Sequence, residues 1–80
     1  MQIFVKNVIG KTLTIDIDSL EKETTFHLKQ KIEKREAIEP DNQRLIYGSK
    51  QLVDEKTLAE QGIHNLATIH MVLRLPGGNM

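Results

Sequence analysis

Gln2-Ile3-Phe4-Val5-Lys6-Asn7-Val8-Ile9-Gly10-Lys11-Thr12-Leu13-Thr14-Ile15-Asp16-Ile17 is the stretch that decides the fold class. From Gln2 to Lys6 the side chains alternate, with Ile3 and Val5 on one side and Gln2, Phe4 and Lys6 on the other. The same period of two returns at Leu13, Ile15 and Ile17, set against Thr12, Thr14, Asp16 and Asp18. Alternation places successive side chains on opposite faces of a strand. Two such runs joined through Asn7-Val8-Ile9-Gly10 read as a β-hairpin with one face buried.

Beyond the hairpin the pattern changes. Ser19 to Glu23 is a polar connection, and Thr24 or Thr25 can cap a helix by accepting a first-turn N–H. Leu28 and Ile32 share a helical face, with Lys29 and Glu36 near it. Phe26 falls off that stripe and is either exposed or packed beneath the preceding loop. Pro40 is expected to end the helical region. Arg44 to Tyr47 reads as a strand closed by a turn at Gly48-Ser49, and Gln51-Leu52 as a further short strand. Thr57 to Gln61 suits one helical turn capped by Thr57. Thr68 to Arg74 is the last strand, with Ile69, Met71 and Leu73 expected in the core and His70, Val72 and Arg74 outside. A single amphipathic helix among several strands is best buried against one face of a mixed sheet, so the expected class is α+β. The expected division is one domain over residues 1–75 followed by a flexible tail, 76–80.

Composition narrows the function classes. Eighty residues leave little room for a second core. Eleven basic and eleven acidic side chains cancel, which argues against a general attraction to nucleic acid or to an anionic membrane. The absence of cysteine removes disulfides, thiolate nucleophiles and sulfur-ligated metals. No apolar run has the length of a membrane span, and Met1 leads into a strand rather than a signal peptide. His27, His64 and His70 lack ligand spacing, so neither a metal nor a cofactor is expected. No nucleophile–base pair, paired-carboxylate site or phosphate loop stands out, and the chain is not expected to be an enzyme.

The chain closes with Arg74-Leu75-Pro76-Gly77-Gly78-Asn79-Met80. Two glycines after a strand carry no side chain to clash with a narrow channel and adopt backbone angles closed to other residues. They suit a tail threaded into another protein's active site, and they equally suit a loose end without function.

Several separate segments agree with a known pattern in order and spacing. They are Met1-Gln2-Ile3-Phe4-Val5-Lys6, Gly10-Lys11-Thr12, Gln43-Arg44-Leu45-Ile46, Lys50-Gln51-Leu52, Thr57-Leu58, and Val72-Leu73-Arg74-Leu75 with Gly77-Gly78. The chain thereby resembles the ubiquitin family from Met1 to Gly78, as a divergent member. The resemblance implies the β-grasp fold, a mixed sheet gripping one helix.

What the resemblance implies about function is specific. In the family an activating enzyme adenylates the terminal glycine carboxylate, which then passes through enzyme cysteines to a target lysine. Carried over, Gly77 and Gly78 form the conjugation end, and a processing protease must cut between Gly78 and Asn79. Arg74 matches a guanidinium that the activating enzyme reads, and a rigid donor fork suits carboxylate recognition. Pro76 departs from the family's basic residue and removes a charge and an N–H. Val8, Ile46, His70 and Val72 match a hydrophobic patch that binds ubiquitin-reading domains. Val8 in place of leucine weakens one contact by about 1 kcal/mol, the worth of one methylene. Lys50 matches the principal chain-linking lysine, and Lys6, Lys11, Lys29 and Lys31 match others. Asn65 and Arg35 stand where the family has lysines. Lys29 is also expected as a partly buried partner of Asp54. Phe4 with Gln2, Thr12 and Thr14, and Ile38 with Leu73 and Leu75, would form two smaller patches.

Three departures bear on stability. Ala37 replaces a glycine after the helix, and in a left-handed conformation alanine costs about 1 kcal/mol. Gln61 replaces a tyrosine that braces a loop. The loop near Leu20 is longer by about two residues, at a cost that grows slowly with length. A fold less stable than ubiquitin is expected. The implied function is a protein modifier, monomeric, cytoplasmic and nuclear, served by activating, conjugating and ligase enzymes. The alternatives are a non-conjugated ubiquitin-like binding domain of a longer protein and, further off, a sulfur carrier with the same fold and di-glycine end.

Overall fold

The structure is a computed structural model and describes residues 1–73. The opening alternation forms β1 (Gln2–Lys6) and β2 (Thr12–Asp16), paired antiparallel with Ile3 opposite Ile15 and Val5 opposite Leu13. Asn7 builds the turn between them. Its side-chain carbonyl accepts from the backbone N–H groups of Ile9 and Lys11, and Gly10 takes a positive φ of 86°.

Helix α1 (Thr25–Glu36) starts where a cap is available. Thr24 Oγ1 accepts the backbone N–H of His27, and His27 Nδ1 accepts the backbone N–H of Thr24. This reciprocal box uses histidine where glutamate or glutamine is usual. Thr25 is therefore the first helical residue and is fully buried. The helix ends at Ala37, which is left-handed (φ 59°, ψ 35°) and donates its N–H to Glu33 O at 2.8 Å. The stop therefore comes three residues before Pro40, which instead opens a short 3₁₀ turn, Pro40–Asn42. Lys34 and Arg35 in the last turn complement the helix dipole.

Three strands complete the sheet: β3 (Gln43–Tyr47), β4 (Lys50–Gln51) and β5 (Thr68–Leu73). The order is β2-β1-β5-β3-β4, with β1 and β5 parallel and the other pairs antiparallel. This mixed sheet packed on one helix is the expected α+β arrangement. The core joins Ile3, Val5, Leu13, Ile15 and Ile17 of the hairpin to Leu28 and Ile32 of α1 and to Leu45, Ile69 and Met71. None of the described helices is long and apolar enough to cross a membrane.

Several expectations need correction. Leu73 is 40% exposed rather than in the core. It pairs with Gln43, the first residue of β3, so it lies in the last row of the sheet. Phe26 is resolved as a surface residue. β4 is one residue earlier than Gln51-Leu52, and the turn read over Thr57 to Gln61 shortens to a 3₁₀ segment, Ala59–Gln61. Its cap position is Leu58 rather than the expected Thr57, and Thr57 Oγ1, one residue earlier, accepts the N–H of Glu60 at 3.2 Å. Leu20, read as part of a polar connection, packs against the core, and its carbonyl accepts from Ala59 N.

Gln61 is not the loss of a brace. Its Oε1 accepts Val53 N–H at 2.6 Å, and its Nε2 donates to Thr25 Oγ1 at 2.7 Å and to Thr57 O at 3.1 Å. The amide thus ties the loop after β4 to the start of α1, reaching a residue 36 positions away. Among the described residues two non-glycine residues, Ala37 and Leu66, have positive φ, and such conformations store strain in side-chain-bearing residues.

Candidate functional site

Strand pairing decides which exposed residues meet. His70 on β5 stands opposite Ile46 on β3 and beside Lys6 on β1. Val72 stands opposite Arg44. Alternation keeps these side chains on the face away from α1, because Leu45, Ile69 and Met71 fill the other face. The structure therefore brings together Ile46, His70 and Val72 as one continuous surface. Val8 is 57% exposed in the hairpin turn that follows Lys6, and Val72 is 37% exposed. Ile46 is half-buried, so it forms the floor of the patch. Ile9, 81% exposed beside Val8, adds apolar surface at the turn tip that sequence reading passed over as an ordinary turn residue.

The rim of this face is cationic. Lys6, Arg44 and Lys50 are exposed, and no ion pair engages them among the described residues. An apolar floor within a basic rim favours a partner surface that is apolar at its centre and acidic at its margin. His70 is exposed on this face. His64 is occupied elsewhere: its Nδ1 lies 3.0 Å from Asn65 O, which can only accept, so Nδ1 donates, and Nε2 lies 3.1 Å from Tyr47 OH. Among the described residues no cluster of histidine and carboxylate side chains could hold a metal.

The lysines divide by environment. Lys50 and Lys6 are exposed. Lys11 is exposed but lies 3.5 Å from Glu36 Oε2. Lys29 is almost entirely buried, with Nζ 2.7 Å from Asp54 Oδ1, as the partly buried pair expected. Lys31 lies 2.8 Å from Glu23 Oε2 and donates to Asp16 O at 2.9 Å. Arg35 likewise donates to Thr14 O, so two cations cover carbonyls of β2, an edge strand. Asn65, where the family has a lysine, accepts the backbone N–H of Gln2. Phe4, expected as exposed, is half-buried on the outer face, in register with Thr14 and Thr68. Ile38 packs against the core. Arg74, Leu75, Pro76, Gly77, Gly78 and Asn79 lie outside the described residues.

The model of the ubiquitin family matches residues 3–76. The chain belongs to the ubiquitin family. Among its relatives in that family, the ubiquitin-like protein NEDD8 of Dictyostelium discoideum is 42% identical over 98% of this chain and 99% of its own length. The NEDD8-like protein RUB1 of Saccharomyces cerevisiae is 34% identical over 99% of this chain and 100% of its own. The NEDD8-like protein RUB3 of Arabidopsis thaliana is 36% identical over 98% of this chain and 97% of its own. The similarity is thus end to end on both sides, and the chain is a ubiquitin-like protein whose relatives include NEDD8-like proteins.

Proposed function

We propose that this chain is a ubiquitin-like protein modifier, matured by hydrolysis of the Gly78–Asn79 bond and joined through the Gly78 carboxylate to lysines of target proteins. The observation that carries this reading is the placement of Arg74-Leu75-Pro76-Gly77-Gly78 directly after the last described sheet residue of a ubiquitin-family domain. The chain supplies a carboxylate and a surface, and its enzymes supply the chemistry. Activating, conjugating and ligase enzymes, with a processing protease, are the partners this reading calls for. Arg74 serves recognition by the activating enzyme, and Pro76 sets which enzymes accept the tail. The face of Val8, Ile46, His70 and Val72 binds ubiquitin-reading domains, and its cationic rim supports that role. Lys50, Lys11 and Lys6 are the lysines for chain extension, with Lys50 in the position of the family's principal one. The work is placed in the cytoplasm and nucleus.

Intact mass after incubation with a ubiquitin carboxyl-terminal hydrolase tests the reading. Loss of Asn79 and Met80 alone is expected, followed by thioester formation with an activating enzyme. An unchanged mass, with a ubiquitin precursor cleaved in parallel, favours a binding domain that stays unconjugated.

A further inference from the structure

Conjugation needs an acceptor amine that is neutral at the moment of attack and open on its lone-pair side. A lysine held against a carboxylate is not open in this way, because the ion pair covers the nitrogen and has to be broken first. Of the eight lysines in the sequence, Lys29 and Lys31 are held this way, whereas Lys11, 3.5 Å from Glu36, keeps a side chain that is 60% exposed. Lys31 gives a second contact to Asp16 O, and Lys29 is nearly sealed from water. Lys6, Lys22, Lys34, Lys50 and Lys56 have no carboxylate partner among the described residues.

Two of those five share a cleft. Lys50 and Lys56 both line a surface hollow of about 390 Å³, walled on one side by the segment from Lys50 to Val53 and on the other by Glu60 to Gly62. The base of Lys56 is pinned, while its amine has no carboxylate partner among the described residues. Its N–H donates to Val53 O at 3.2 Å, and its carbonyl accepts from Thr25 N at 3.1 Å. Val53 is in turn fixed by Gln61. A rigid base under the amine confines the nitrogen to the neighbourhood of the cleft, which raises its effective concentration toward any acyl donor bound there.

We propose that Lys56 is a second acceptor amine, sharing one cleft with Lys50, for the carboxy-terminal glycine thioester carried by a conjugating enzyme. This rests on the modifier reading only for the source of the acyl group. The neutral Lys56 amine attacks the thioester carbonyl. The new C–N bond forms, the C–S bond breaks, and the enzyme thiolate leaves with the electron pair. The proton lost by nitrogen passes to water or to the Glu60 carboxylate, which lines the same cleft. The product is an isopeptide. An enzyme that docks to serve Lys50 meets Lys56 in the same approach, so one docking mode yields two linkages.

The test uses the full chain as acceptor and ubiquitin-charged conjugating enzyme as donor, so it does not depend on this chain's own tail. K50R, K56R and the double variant keep the charge and are checked for folding by circular dichroism. After trypsin, the di-glycine remnant of ubiquitin marks each modified lysine. Conjugate mapping to Lys56 is expected to persist in K50R, conjugate mapping to Lys50 to persist in K56R, and cleft product to be lost in the double variant. Product in K50R that maps only to Lys6, Lys22 or Lys34, or no product at Lys56 in any form, overturns the proposal. A second readout is acetylation by a small acetyl thioester, followed lysine by lysine. Lys56 should react as fast as Lys50 and well ahead of Lys29 and Lys31. Protection of Lys56 to the level of Lys29 overturns it as well. The hydrolase experiment above fails or succeeds independently of both.

Discussion

Gln61→Leu removes one amide and keeps the side-chain size, and its cost can be worked from the contacts it breaks. Gln61 accepts from Val53 N at 2.6 Å and donates to Thr25 Oγ1 at 2.7 Å and Thr57 O at 3.1 Å. Val53 is at the surface, so water repairs its N–H. Thr25 is fully buried, and Gln61 is its side chain's hydrogen-bond partner. A buried polar group left unpaired costs about 1–3 kcal/mol, and each ordinary bond lost costs about 1 more. The sum is about 2–4 kcal/mol, a large part of the ~5–15 kcal/mol that holds a small domain together. For a domain of this size it lowers the melting midpoint by about 10–30 °C. Urea titration followed by circular dichroism reads the change, and an unaltered slope certifies that stability alone has moved. The sharper test is Thr25→Val in the Gln61→Leu background. Replacing both partners by apolar groups of similar shape removes the orphan, so the double variant should be more stable than the sum of the singles by about 1–2 kcal/mol. A loss below about 0.5 kcal/mol for Gln61→Leu, typical of a surface change, or strict additivity of the pair, refutes the bracing role.

The remaining predictions concern strain, charge and binding. Ala37→Gly should stabilise the protein by about 0.5–1 kcal/mol, since glycine enters the left-handed region freely and loses only part of that gain to its unfolded-state entropy; a lower urea midpoint contradicts this. Asp54→Asn strands the nearly buried Lys29 ammonium and should cost about 2 kcal/mol, less than a fully buried pair because Asp54 itself is 39% exposed; an unchanged midpoint contradicts it. Ile46→Ala should weaken binding to an isolated ubiquitin-binding domain by about 2 kcal/mol, as for a central interface residue, measured by titration calorimetry. Loss of the fold rather than of affinity in that variant would assign Ile46 to the core.

The sequence carried the hairpin, the helix and the last strand because periods of two and 3.6 are local properties, written in the order of neighbouring side chains. Ile3, Val5, Leu13, Ile15, Ile17, Leu28 and Ile32 are all buried, as their spacing requires. The resemblance to the ubiquitin family rested on ordered motifs, and so it too was legible without coordinates. The patch residues were named only through that resemblance. Nothing in the spacing of Ile46, His70 and Val72 makes them neighbours, and it is the register of β3 against β5 that does. Periodicity also misplaced Leu73, since alternation says which face a residue takes and not whether anything covers it at the end of the sheet. Ala37 was suspect by its position, and its left-handed backbone followed from how the chain must leave the helix. Gln61 bracing Thr25, Lys31 turned onto Glu23 and Asp16, and Lys56 sharing a cleft with Lys50 were decided by tertiary structure alone. These contacts join elements distant in sequence, and packing of the helix and loops against one sheet determines them, not any pattern along the chain.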